Sequence, residues 1–443
     1  MSDQVDDFQP SHYKYNVIVS DPQKKRVEET HDSFISYSIA IRTDNPDYHS
    51  KDKGKNQDVS EYNSYDDLYN IDNTVVTRKR YSDFLILNQF LKIDYPLINV
   101  PKLPPKNNYS IKQIYHGNGH VSQNAQNVLN ISGTDQTPAA FGHNNIELDD
   151  GFLLRRLYSL EFYLNTLVNH SSLQNYSLLI TFMTSDAEWE VLKNTIQFTK
   201  DHASLGQSSV EDEISEYLMN VFKKPAKEFK EIKEIKMKLE KLIYNLNKIL
   251  KGSLKLNKIQ ELIVKDFSHL QKLKYDVIAQ DKSNIRSFDS SATEKHYSAF
   301  QDNMNSSKLL LSELHKFNKY ENLNKLQEMI NYLKQLFDLI RLLDYKQLDL
   351  ESLQDTSNKL QMDKKKYENV NIEKAKKIDL KIQNLEGELQ ECNKQVVSIF
   401  QVILQESENI EYIKDLQLKK LFKELAIKKV EFYRGMCKVW APK

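Results

Sequence analysis

The stretch Arg78-Lys79-Arg80-Tyr81-Ser82-Asp83-Phe84 decides the reading of this chain. It follows Thr74-Val75-Val76-Thr77, a β-branched run that reads as a strand, and it leads into Leu85, Leu87, Phe90 and Leu91 at helical spacing. Three cations and an aromatic ring therefore sit where a strand becomes a helix. Arginine's planar fork supplies two charge-assisted donors to a phosphate, and Ser82 lies where backbone amides at a helix start face an anion. Working outward, Leu103-Pro104-Pro105-Lys106 places a lysine on a stiff proline turn. Arg156 stands on a later amphipathic helix with Leu153, Leu157, Leu160, Leu164 and Leu167 along its apolar face. Alone, each of these residues is most simply a solvated cation or a core tyrosine. Together they describe a basic pocket with an aromatic floor.

The elements before the pocket read as a meander. Tyr15–Val19 is expected to be a strand that stops at Asp21-Pro22, and Phe34, Tyr37, Ile39 and Ile41 mark a second. The helix after the pocket is expected to start at Ser82-Asp83 and to end at Pro96. A shorter helix is expected near Tyr176–Phe182, followed by a turn at Glu188-Trp189-Glu190. Residues 44–72 and 107–147 are polar and read as loops.

The second half obeys a different grammar. Pro225 is followed by no proline until Pro442, so long helices are permitted. Leu323, Leu326, Ile330, Leu333, Phe337 and Ile340 alternate steps of three and four. So do Ile378, Ile382, Leu385, Leu389, Cys392, Val396, Ile399 and Ile403, and Leu239, Leu242, Leu246 and Ile249 begin a third stripe. Breaks near Ser283–Ser291 and Tyr367–Asn371 divide this half into three helices of about 70 residues, each roughly 100 Å long at 1.5 Å per residue. A bundle so thin buries little within one chain, and dimerisation would finish its core.

Composition narrows the function. Over 443 residues, 62 Lys+Arg balance 62 Asp+Glu, and mean hydropathy is −0.63. The balance hides an asymmetry, since residues 211–443 hold 43 Lys+Arg against 36 Asp+Glu. That excess suits an anionic membrane surface but is too dispersed for a nucleic-acid stripe. The apolar runs are short for a bilayer span, and the acidic start lacks a signal core. A cytoplasmic, peripherally bound protein is expected. Two cysteines give neither a disulfide framework nor metal spacing, and His116-Gly117-Asn118-Gly119-His120 lacks acidic or thiol partners. No nucleotide-binding, zinc-hydrolase or nucleophile-elbow motif occurs, so neither catalysis nor a cofactor is expected.

The run Arg80-Tyr81-Ser82-Asp83-Phe84, the Leu103-Pro104-Pro105-Lys106 turn and Arg156 with Leu160 and Leu164 resemble the phox-homology (PX) domain. With the long helical half behind it, the whole chain resembles a PX-BAR sorting nexin, and Val17–Lys24 and Asp344–Asp349 are most similar to the sorting nexin 4 type. The resemblance implies an α+β PX domain, a three-stranded antiparallel sheet with helices, followed by an all-α three-helix BAR coiled-coil domain. It implies a flexible N-terminus at 1–12, PX at 13–190, a linker at 191–210 and BAR at 211–443. It implies that phosphatidylinositol 3-phosphate is bound, with Arg80 and Ser82 at the 3-phosphate, Tyr81 under the inositol, Lys106 at the 1-phosphate and Arg156 at the 4- and 5-hydroxyls. Ile111, Ile114 and Tyr115 would dip into the bilayer. Lys364, Lys365, Lys366, Lys376 and Lys377 would meet lipid at the bundle tip, and Ile214, Leu218, Val221 and Phe222 would form an interfacial helix. The implied role is endosome-to-Golgi retrieval of cargo proteins and selective autophagy, at endosomes and pre-autophagosomal structures, as a homodimer or as a heterodimer with another PX-BAR sorting nexin. The competing expectation is a coiled-coil tether or scaffold whose PX-like fold binds protein.

Overall fold

The computed structural model describes residues 13–26, 33–48, 74–105, 150–195, 225–226, 228–284, 290–367 and 371–441. Three strands, β1 (Tyr15–Arg26), β2 (Ser33–Thr43) and β3 (Thr74–Arg80), form one antiparallel sheet in that order. Val17 pairs with Ile41 and Ile39 with Thr77, which sends Val17, Val19, Tyr37, Ile39 and Ile41 to one buried layer. β1 does not stop at Asp21-Pro22. It runs on to Arg26 through a bulge between Ser20 and Gln23, where Asp21 takes φ 45°. The irregularity absorbs Pro22, which cannot donate to a regular ladder.

Four helices cover this sheet: α1 (Tyr81–Asp94), α2 (Asp150–Val168), α3 (Ser177–Thr184) and α4 (Asp186–Thr195). α1 begins one residue earlier than expected because the Asp83 carboxylate accepts the Arg80 amide at 2.9 Å, closing the first turn. The expected turn at residues 188–190 is instead part of α4, and it buries Trp189 edge-on against Phe182 at 5.0 Å. Phe84, Leu87, Leu91, Leu157, Leu160, Leu164, Leu167 and Phe182 complete the core. α2 also closes the free edge of β1. Asn165 accepts the Val17 amide at 3.0 Å and donates to its carbonyl at 2.7 Å, and Glu161 accepts the Val19 amide at 3.1 Å.

The helical half holds α5 (Lys230–Asn284), α6 (Ser290–Phe317), α7 (Leu323–Tyr367) and α8 (Ile372–Trp440). A π turn over Asn318–Asn322 joins α6 to α7, making three long rods in all. The rods end and restart close to the expected breaks, α5 at Asn284 before Ser290 and α7 at Tyr367 before Ile372. Asn371 caps the third rod by accepting the Lys374 amide at 3.1 Å. Leu326, Ile330, Leu333, Ile340, Val396, Ile399 and Ile403 are buried as their spacing requires. Ile249 is not. It is 41% exposed and Leu250 takes its place in the core, because a straight helix drifts past a strict heptad. No helix among the described residues is long and apolar enough to cross a membrane.

α2 is buried on both sides. Its leucine face meets the sheet, and its other face meets the bundle. Phe162 packs edge-on to Tyr332 at 6.4 Å, Ser159 donates to Glu328 at 2.8 Å, and Lys325 pairs with Glu161 at 2.8 Å. Gly151 lies where a Cβ would come within 2.7 Å of Tyr320, on the π turn. That close approach lets the start of α2 rest on the bundle.

Candidate functional site

The three cations of the opening run take three different environments. Lys79 occupies an inward β3 position, is 1% exposed and pairs with Asp186, its amine 5.5 Å from the Phe182 ring. Burial lowers its pKa, while Asp186 partly restores it. Arg78 turns to the β1 bulge, donating to Asp21 Oδ2 at 2.9 Å and to Ser36 Oγ at 3.1 Å. Both serve the fold. Arg80 alone of the three stays open, with 41% of its side chain exposed. Its guanidinium lies 5.7 Å from the Phe34 ring and makes only a 3.7 Å contact to Asp83.

Tyr81 and Arg156 meet beside it. The Arg156 guanidinium stacks 4.7 Å from the Tyr81 centroid and 4.3 Å from that of Phe152, and it donates to the Pro105 carbonyl at 3.0 Å. The Tyr81 hydroxyl donates to the Pro104 carbonyl. Burial raises the Tyr81 pKa, and nearby Arg156 partly offsets this. The Tyr37 hydroxyl is likewise raised by burial and held back by Arg156. Ser82, half-buried, sits in the first turn of α1.

The structure therefore sets Tyr81 and Arg156 against the proline turn, with Arg80 and Ser82 as the chain neighbours of Tyr81. Lys106 lies outside the described residues, although its neighbour Pro105 is held by Arg156. Ile111, Ile114, Tyr115 and the stretch Ile214–Phe222 also lie outside them. At the bundle tip Lys365, Lys366, Lys376 and Lys377 are exposed, Lys366 beside Asp363 at 3.2 Å, whereas Lys364 is engaged with Asp379 at 2.6 Å.

Phe34, read from the sequence only as a strand residue, Phe152 and the carbonyls of Pro104 and Pro105 were not expected at the site. Backbone acceptors carry no residue-type signal. Phe34 could have been found by strand alternation, since β2 pairs Ser36 with Arg80.

Residues 68–186 match the PX domain family model. The chain is 27% identical to "Sorting nexin-4" of Candida glabrata over 97% of its own length and 91% of that protein. It is 28% identical to that of Eremothecium gossypii (96% of each chain) and 26% identical to that of Saccharomyces cerevisiae (97% and 92%). Among solved structures, the cryo-EM structure of the SNX-BAR Mvp1 tetramer aligns over 96% of this chain and 98% of that one, with 16% identity and a TM-score of 0.46. A PX domain carried on a bundle of three long helices is the arrangement of a PX-BAR sorting nexin, and the chain is similar to that class over most of its length. Within it, the full-length similarity runs to sorting nexin-4 proteins.

Proposed function

We propose that the chain is a non-enzymatic peripheral membrane protein that binds phosphatidylinositol 3-phosphate on endosomal membranes. In this reading residues 13–190 act as the PX unit, 191–210 as a linker and 211–443 as a BAR unit that dimerises and senses or shapes curved membrane. One observation carries the lipid reading. Arg80 keeps its guanidinium open at the start of a 14-residue helix, beside a tyrosine stacked on a second arginine. A helix start and a planar cation together favour a phosphate monoester. Arg80 and Ser82 would hold the 3-phosphate, Tyr81 would pack under the inositol and Arg156 would meet its hydroxyls. Lys106 would meet the 1-phosphate, with Ile111, Ile114 and Tyr115 entering the bilayer.

Dimerisation is supported by the apolar residues left on the rods. Tyr244, Leu256, Ile259, Leu262, Leu309 and Tyr433 are all exposed. The lysines at the tip would add affinity for an anionic surface, and two pockets per dimer would raise avidity about a hundredfold or more. In this reading the chain retrieves cargo from endosomes toward the Golgi and acts in selective autophagy, alone or with another PX-BAR sorting nexin; its similarity to proteins named sorting nexin-4 supports a sorting role.

Liposome co-sedimentation against other phosphoinositides, with Arg80→Ala as control, tests the reading. Selective pelleting with phosphatidylinositol 3-phosphate that is lost in the variant supports it. Equal pelleting of both proteins with every anionic liposome overturns it.

A further inference from the structure

The wall of the pocket is built by Pro104 and Pro105, whose carbonyls accept from Tyr81 and Arg156. That wall is the far end of a short strap running from Tyr95, where α1 ends, to Pro105. The near end of the strap does not belong to the PX fold alone. Asn99 is 4% exposed, and its amide donates to Oε2 of Glu406, on the third rod, at 3.0 Å. Its side-chain amide donates to the Tyr332 carbonyl at 3.2 Å, and Gln335 donates to the Val100 carbonyl at 3.0 Å. Both of those residues lie on α7.

Glu406 is 2% exposed and grips the PX fold at two places. Its second oxygen faces Nε2 of His170 at 3.0 Å. His170 Nδ1 accepts the Ser172 amide at 3.2 Å, which assigns the ring proton to Nε2 and makes His170 the donor to Glu406. Asn409, three residues on, accepts the Ser171 amide at 3.2 Å. One buried carboxylate of the bundle thus ties the turn after α1 to the turn after α2. Pro101 stands between Asn99 and the pocket wall, and the wall itself is Pro104-Pro105. Each proline fixes φ and restricts the residue before it, so a displacement at Asn99 is carried along the strap instead of being absorbed.

We propose that Glu406 and Gln335 are positioning residues for headgroup binding: from the bundle, they hold the strap whose far end forms the pocket wall. The PX pocket then has its full affinity only while docked on the rods, and BAR residues that never touch lipid set part of that affinity. This rests on the reading of Arg80, Tyr81 and Arg156 as the lipid pocket.

The test measures binding of a soluble short-chain phosphatidylinositol 3-phosphate to the full-length protein by calorimetry, so that membrane curvature and avidity do not enter. The variants are Glu406→Gln, Gln335→Ala and Arg80→Ala. Leu385→Ala is a control for destabilisation, since it empties a buried bundle position about 30 Å along the third rod from Glu406. Glutamine at 406 can still accept from Asn99 but presents an amide donor to the His170 N–H, so one grip fails. Gln335 is only partly buried, and its truncation provides a milder variant that tests the same strap if Glu406→Gln folds poorly. The expected result is a two- to thirtyfold loss of affinity in about that range for Glu406→Gln and Gln335→Ala, with Leu385→Ala unchanged. Faster hydrogen exchange at Asn99 and Val100 is expected alongside it. Loss of binding in Arg80→Ala together with unchanged affinity in both bundle variants overturns the coupling. Unchanged affinity in Arg80→Ala overturns the pocket reading beneath it.

Discussion

Lys325 of the second rod reaches Glu161 of α2 at 2.8 Å, and the same Glu161 holds the Val19 amide of the sheet at 3.1 Å. Sheet, helix and bundle are thereby joined through one carboxylate. Lys325 also meets Glu321 at 3.0 Å and Glu424 at 3.4 Å. Burial alone would lower the lysine pKa, but these carboxylates hold it well above the ordinary value. Burial would likewise raise Glu161, and Lys325 and Lys420 hold it below. Glu424, the most distant of the three, is raised by burial despite the lysine. Replacing Lys325 with Met would leave these acids buried without their cation. A loss of about 3–5 kcal/mol is expected, read as a lowered urea midpoint. Removing one of the stranded acids with Glu161→Gln in the same chain restores the original charge sum and should recover part of the loss, and a double-mutant cycle measures how much.

Arg156→Lys keeps the charge but loses the planar fork and the stacking against Tyr81 and Phe152. Weakening of headgroup binding by about 1–2 kcal/mol is expected, with little change in the anionic-surface affinity of the bundle tip. Titration of soluble headgroup, set beside sedimentation on lipid lacking phosphoinositide, separates the two effects.

The tip lysines should divide into two kinds. Neutralising Lys365, Lys376 and Lys377 should cost about 1 kcal/mol each on phosphatidylserine vesicles at low salt. Lys364 and Lys366 should cost less, because Asp379 compensates the first at 2.6 Å and Asp363 the second at 3.2 Å. A flotation assay across the five single variants ranks them, and an equal effect of all five would sink the distinction.

His315 gives the bundle a pH dependence. It lies between Asn257, Glu261 and Lys265 of the first rod and Lys319 of the π turn. Burial lowers its pKa from 6.5, Lys319 and Lys265 lower it further, and Glu261 opposes them. The unfolded chain therefore binds this proton more readily than the folded one. The His315 contribution is full above about pH 6.5 and is lost as pH falls through the folded value. Thermal midpoints should fall on acidification below pH 6.5, and His315→Gln should flatten that part of the profile.

Much of this was legible in the residues. Periodicity located the rods because a buried stripe must repeat. It named Leu157, Leu160, Leu164 and Leu167 as core. It did not show that the opposite face of α2 is buried as well, since that face carries Ser159, Glu161 and Asn165. Polar residues read as solvent-facing until a partner appears, and theirs, Glu328 and Lys325 of the bundle and Val17 and Val19 of the sheet, lie distant in the chain. Glu406 and His170 stayed hidden for the same reason: each is an isolated polar residue whose meaning is a contact 236 residues away.

The sequence by itself determined which segments are strands and rods, where the rods break, and that Tyr81 and Arg156 share one neighbourhood. Those are consequences of local spacing and residue chemistry. Only the tertiary structure decided that Lys79 and Arg78 are spent on the fold while Arg80 stays open, and that the strap at Asn99 is anchored in the bundle. Charge and shape are written residue by residue, but which charge is buried, and against what, is settled only when distant surfaces meet.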